Sequence, residues 1–220
     1  AFGCRGWIVS SDTMAPMSAP GDETASILIV DDDEAVTQTF ARMLRMEGFS
    51  VRTAINAEWI RHLTHDVLIE RLVPYLHAEG LVDETPTAEQ LAVLRAAVPH
   101  VQERMETLRQ GVDMLAFLFR GHGQAPAFQV HSEDAALLEG EARIAISAAH
   151  DALSALDTWT TADIEAALRA ALVEGMGLKP KHAFGPVRVA VTGRRVSPPL
   201  FESIEILGRD RTLARLSAAL

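Results

Sequence analysis

The sequence predicts a mainly α protein fronted by a short β-α-β unit, and three features carry that expectation. Val98, Val101, Met105, Leu108, Val112, Leu115 and Leu118 recur at the spacing of one apolar helix face. Ile27–Glu34, ILIVDDDE, runs a short apolar strand into three aspartates. Phe49–Thr53, FSVRT, alternates as a second strand would.

Taken in order, Ile27–Val30 is a buried strand, and Glu34–Glu47 is a helix with Val36, Phe40, Met43 and Leu44 on one face. Gly48 stops that helix before FSVRT, so 17–54 reads as β-α-β. Asn56 can cap a helix through Arg61, and Thr64 or Asp66 a longer one through His77, stopped by Gly80. Helices are then expected over 87–97 and 99–119, with 121–126 as a loop. Ser132 or Glu133 opens a helix to about Leu156, and another spans 161–175. A helix over 181–191, a Gly-Arg-Arg turn, and short helices over 201–207 and 210–219 complete the chain.

Composition sets limits. The 220 residues suffice for one large domain or two small ones, and 48% hydrophobic content allows cores to form. No apolar run reaches the roughly 18 residues a membrane span needs. The single cysteine, Cys4, cannot form an internal disulfide and fits a reducing, cytoplasmic setting. Residues 1–16 read as a flexible lead, with Met14 and Met17 as candidate starts. A net charge of −10 argues against a general nucleic-acid binder, and no DNA partner is expected. The last fifth reverses sign, with eight Lys and Arg from Lys179 onward against Glu202, Glu205 and Asp210.

The aspartate cluster admits two readings, a shared divalent cation or a solvated strand end. ILIVDDDE, the helix and FSVRTA resemble the start of a response-regulator receiver domain. That resemblance implies that Asp31 and Asp32 help to hold Mg²⁺ beside a phosphorylated aspartate, and a hard cation does want carboxylate oxygens. The family also needs an acceptor aspartate after a third strand, and no later apolar strand here runs into Asp. The segment is therefore expected to be a truncated receiver-like piece without phosphorelay. A weak Mg²⁺ site at Asp31 and Asp32 stays open, as does a signalling adaptor that completes its sheet with another chain.

From residue 55 onward a longer likeness appears. INAEWIRHL, PYLHAEGL, AAVPHVQERMETLRQGVDMLAFLF and KPKHAFGPVRVAVTGRRVSPPLFESIEILGRDRTLARL resemble, in order, the C-terminal half of a bacterial glutamyl-tRNA synthetase. The resemblance implies a two-part helical bundle of the class I anticodon-binding type, divided here at 55–130 and 131–220, and tRNA-Glu as the partner. By the same resemblance, Arg104 reads the third anticodon base, Arg188 lies at the anticodon loop, and Ser197, Pro198 and Leu200 form a turn around the other bases. Guanidinium forks and stiff Pro-containing turns suit unstacked bases.

Plainer readings stand beside these. Arg104 could be a solvated helix residue paired with Glu103 or Asp113, and Arg188 could neutralise a helix end. Arg194 and Arg195 are candidate phosphate contacts, although paired surface arginines are usually just solvated. Phe201 is expected in the core, as are Trp59, Tyr75, Phe117, Phe119 and Phe184. His62 and His65 lack a third ligand, which speaks against metal.

Aminoacylation in the resembled family uses ATP and Mg²⁺ on a nucleotide fold with His-Ile-Gly-His-like and Lys-Met-Ser-Lys-Ser-like motifs. Neither motif is found, and Gly121–His122–Gly123 follows no strand. The expectation is a chain that binds tRNA, needs no cofactor of its own, and does not charge tRNA alone.

Overall fold

A computed structural model of the protein describes residues 26–30, 34–54, 57–121, 123 and 125–220. Strands β1 (Ser26–Val30) and β2 (Ser50–Ala54) pair in parallel, Ser26 opposite Ser50 and Val30 opposite Ala54. Parallel neighbours need a crossover, and helix α1 (Glu34–Met46) supplies it. Ile29, Thr37 and Ala41 are buried, whereas Val36, Phe40 and Met43 remain exposed on the apolar face of α1. Two strands offer too little surface to cover one helix. Asp31 and Asp32, the candidate Mg²⁺ ligands, lie outside the described residues, as do Cys4 and Asn56.

The remainder is helical. After α2 (Ala57–His62), helix α3 (His65–Ala78) starts at Thr64, whose Oγ1 accepts the Val67 N–H at 3.4 Å. Helix α4 (Ala88–Val101) opens on a reciprocal box, in which Thr87 Oγ1 accepts from the Gln90 N–H and Gln90 Oε1 from the Thr87 N–H. Two orphan donors are satisfied at once.

Two expected helices are each divided. The stretch 99–119 is not continuous: α4 passes through Pro99 to Val101, a 3-10 turn covers Gln102–Arg104, and Met105 is extended. Helix α5 (Leu108–Leu115) then restarts at Thr107, whose Oγ1 accepts the Gln110 N–H. The apolar spacing survives because Met105 and Leu108 on either side of the break enter the same core. The expected helix over 132–156 becomes a 3-10 turn, Ala135–Leu138, followed by α6 (Ala142–Ser154). Gly140 between them sits at φ +63°, a left-handed conformation no helix can pass through.

Helix α7 (Thr161–Leu168) runs into a π-helical turn, Arg169–Gly175. Helix α8 (Pro180–Thr192) ends on Gly193 at φ +80°, the left-handed cap typical of helix ends. Helices α9 (Leu200–Leu207) and α10 (Arg209–Ala218) close the chain.

One hydrophobic cluster runs from Ile60 to Leu216 and draws on both sides of residue 130, including Leu72, Leu94, Leu115, Ile146, Ile164 and Val187. Each such side chain contributes about 1.5–3 kcal/mol by leaving water. Phe117 and Phe119 lie in this core, with Tyr75, Phe184 and Phe201 packed against it. The side chain of Trp59 lies outside the described set.

The basic C-terminal fifth is not the open cationic surface that its charge suggests. Arg215 is buried, donating from Nη1 to the Val191 carbonyl at 2.6 Å and from Nη2 to the Phe117 and Arg120 carbonyls at 2.7 and 3.0 Å. Its guanidinium lies 3.7 Å from the centre of the Phe128 ring. Burial, reinforced by the charge of Arg211, pushes this group down to about 9. Arg211 donates to the Leu207 and Leu118 carbonyls, and Arg209 to those of Ser154 and Leu156. These three cations tie helix α10 to the body.

Candidate functional site

An open groove of about 480 Å³ lies where the break after α4 meets the turn after α8. Arg104, Glu106, Gln110, Asp113 and Met114 form one wall. His131, Glu133, Asp134, Arg194, Arg195 and Val196 form the other. Three guanidinium groups thus face four carboxylates, a lining that mixes donors and acceptors rather than one built for phosphate alone.

Arg104 ends the 3-10 turn and is exposed. Both carboxylates considered as its partners are engaged elsewhere, Glu103 with Arg61 and Asp113 with Arg194, each at 3.6 Å. Among the described residues Arg104 has no ion pair or hydrogen bond, so its N–H donors are available to a ligand. The extended Met105 is what turns Arg104 out, because its buried side chain anchors the chain beside it.

Arg188 behaves differently. From the third turn of α8 its Nη1 donates to Ser197 Oγ at 2.8 Å and to the Pro198 carbonyl at 2.6 Å. Burial lowers its pKa, the positive charge of Arg104 pushes the same way, and Glu202 opposes both. Arg104 and Arg188 therefore share one electrostatic neighbourhood, and of the two only Arg188 is hydrogen-bonded to the 197–198 turn.

Ser197, Pro198 and Leu200 are all buried. Their side chains hold the turn onto the core, with Leu200 inside the main cluster. What the turn presents to solvent is Val196, 76% exposed. Arg194 and Arg195 are both tied to carboxylates: Arg194 pairs with Asp113, and the Arg195 backbone N–H donates to Asp134 Oδ2 at 2.8 Å. Arg195 Nε stands 3.1 Å from Asp134 Oδ1, close enough to pair but off the line of a hydrogen bond.

Sequence reasoning missed Asp134, Val196 and Gln110. Asp134 meets Arg195 across 61 residues, a pairing no local pattern announces. Gln110 did carry a signal, since Thr107 and Gln110 repeat the Thr-x-x-Gln start seen at Thr87. Among the described residues no three His, Cys, Asp or Glu side chains are grouped to hold a metal ion. Nor does any described helix have the length and apolar character to cross a membrane.

A family model described as an anticodon binding domain matches residues 67–220. The chain belongs to this family. As an anticodon binding domain it is 55% identical over 163 residues to a glutamate–tRNA ligase of Kineococcus radiotolerans, covering 74% of this chain and 32% of that protein. It is 53% identical over 167 residues to a glutamate–tRNA ligase of Saccharopolyspora erythraea, covering 76% and 33%. The chain thus spans about a third of the length of these relatives.

Crystal structures of glutamate–tRNA ligases from Elizabethkingia meningosepticum and Elizabethkingia anophelis share the anticodon binding domain's fold. Their TM-scores are 0.58 and 0.59 at 17% and 15% identity, over 74% and 78% of this chain and 30% and 32% of theirs. The family match begins at residue 67, so the receiver-like reading of 17–54 and its phosphorelay alternative find no support in it.

Proposed function

We propose that this chain binds the anticodon arm of tRNA, tRNA-Glu foremost, as the recognition portion of a cytoplasmic glutamate–tRNA ligase. The observation that carries the reading is Arg104, an exposed guanidinium with no partner among the described residues, in a groove beside the Arg188-braced turn. A guanidinium can give two hydrogen bonds to a cytosine edge, a fork that a glutamine cannot copy. The lining favours base edges over phosphates, because carboxylates repel the backbone but accept from exocyclic amino groups. In this reading the chain supplies recognition, and no ATP or Mg²⁺ step is assigned to the described residues.

Titration of the purified chain with tRNA-Glu and tRNA-Gln transcripts tests the proposal. The expected result is binding of tRNA-Glu about tenfold or more tighter, the discrimination a good bidentate base contact provides. Equal and weak affinity for both would overturn it.

A further inference from the structure

Arg195 differs from the other cations of the C-terminal fifth that the body draws inward. Its side chain is 67% exposed, while the carboxylate behind it is only 11% exposed. Asp134 grips it twice, through the backbone N–H at Oδ2 and beside Nε at Oδ1. Both contacts use the stem side of the residue. The outer edge of the guanidinium, Nη1 and Nη2, has no partner among the described residues. A fork whose root is fixed and whose outer edge is open loses little entropy when it meets a planar ligand. Asp134 is itself braced, because His131, three residues before it, donates its N–H to the Gly193 carbonyl and thereby joins the loop to the end of α8.

We infer that Arg195, seated on Asp134, is a specificity-determining residue: a second arginine fork that reads a base edge in the groove holding Arg104. The inference rests on the tRNA reading above and deepens it. A base edge is favoured over a phosphate because Asp134 stands beside the fork, Glu133 lines the same groove, and both would repel an anion. A base offers carbonyl or ring-nitrogen acceptors to the Nη pair and amino hydrogens to the carboxylates. Asp134 is then a positioning residue, acting through Arg195.

The test uses the full chain, a tRNA-Glu transcript, and transcripts carrying single substitutions at each anticodon position, titrated over a range of salt concentrations. Arg195→Ala is expected to weaken binding of the native transcript about tenfold and to abolish discrimination at one anticodon position. The slope of log affinity against log salt should not change. Arg195→Lys, which keeps the charge without the fork, should lose the same discrimination. Asp134→Asn should reproduce the loss and add nothing in the double variant.

A salt slope reduced by about one with discrimination intact would make Arg195 a phosphate contact and overturn the inference. So would unchanged binding of every transcript by Arg195→Ala. An Asp134→Asn penalty equal for all transcripts and additive with Arg195→Ala would show a merely structural carboxylate. If the unaltered chain binds no transcript at all, the tRNA reading itself fails, an outcome distinct from the others.

Discussion

Arg188 and Ser197 are joined by a 2.8 Å hydrogen bond that converts a helix residue into the brace of a turn. The same Nη1 reaches the Pro198 carbonyl at 2.6 Å, so the bend entering α9 hangs on one guanidinium. Replacing Arg188 with Met is expected to lower stability by about 2–4 kcal/mol, because two charge-assisted bonds vanish and buried acceptors are left. Ser197→Ala should lose only about 1 kcal/mol, since the bond to the Pro198 carbonyl persists. Urea denaturation of both variants checks the ranking.

Arg104 supports nothing else among the described residues. Arg104→Gln should therefore shift stability by less than about 0.5 kcal/mol. It should nonetheless weaken binding of tRNA-Glu about tenfold. Paired denaturation and binding titrations separate the two effects.

Arg215 is the opposite case. Truncation to Ala removes the donors serving Val191, Phe117 and Arg120 and leaves a void beside Phe128. The expected loss is about 3–5 kcal/mol, and Lys, with a smaller ammonium head, should recover only part of it. Urea midpoints should fall in the order wild type, Lys, Ala.

Gly193 and Gly140 both sit at positive φ, but only one is crowded. A Cβ at Gly193 would stand 2.8 Å from the Gln129 carbonyl oxygen, whereas at Gly140 nothing lies within 4 Å. Gly140→Asn should be nearly neutral, since Asn tolerates the left-handed region. Gly193→Asn should be as damaging as Gly193→Ala, because the clash is with backbone. Thermal melts of the three variants decide this.

Asp163 provides a pH marker. The Thr158 hydroxyl, and after it that of Thr160, donates to its Oδ2 at 2.6 and 2.7 Å and holds the carboxyl below its ordinary 3.8. The folded-state pKa is depressed, so the linkage favours the fold above about 3.8 and disappears as pH falls through the folded value. An NMR titration should find Asp163 protonating below the ordinary aspartate value of 3.8. Thr158→Ala should raise its midpoint, and Thr160→Ala should raise it by less.

Much of the helical body was legible because apolar spacing and caps are local. Thr64, Thr87 and Gly193 mark element ends in sequence and do so in space. The break at 105–107 was missed because the apolar residues keep helical spacing across it, although Thr107 with Gln110 repeated a readable start signal. The site was legible in its cations and illegible in their environments. Whether Arg188 faces outward or inward depends on Ser197 and Pro198, and whether Arg195 stands alone depends on Asp134. The first is settled by how the chain folds back after α8, nine to ten residues on, and the second by packing of segments 61 residues apart. The charge reversal after Lys179 misled for the same reason, since sequence cannot tell a surface arginine from one buried among carbonyls.

The shared core from Ile60 to Leu216 has a mechanical consequence. The two banks of the groove are cast in one piece, and prising them apart would tear apolar surface into water. Opening the groove at its base would therefore be costly. Under the proposed reading, the RNA would do most of the rearranging, splaying its loop to fit a shape largely set before the two meet.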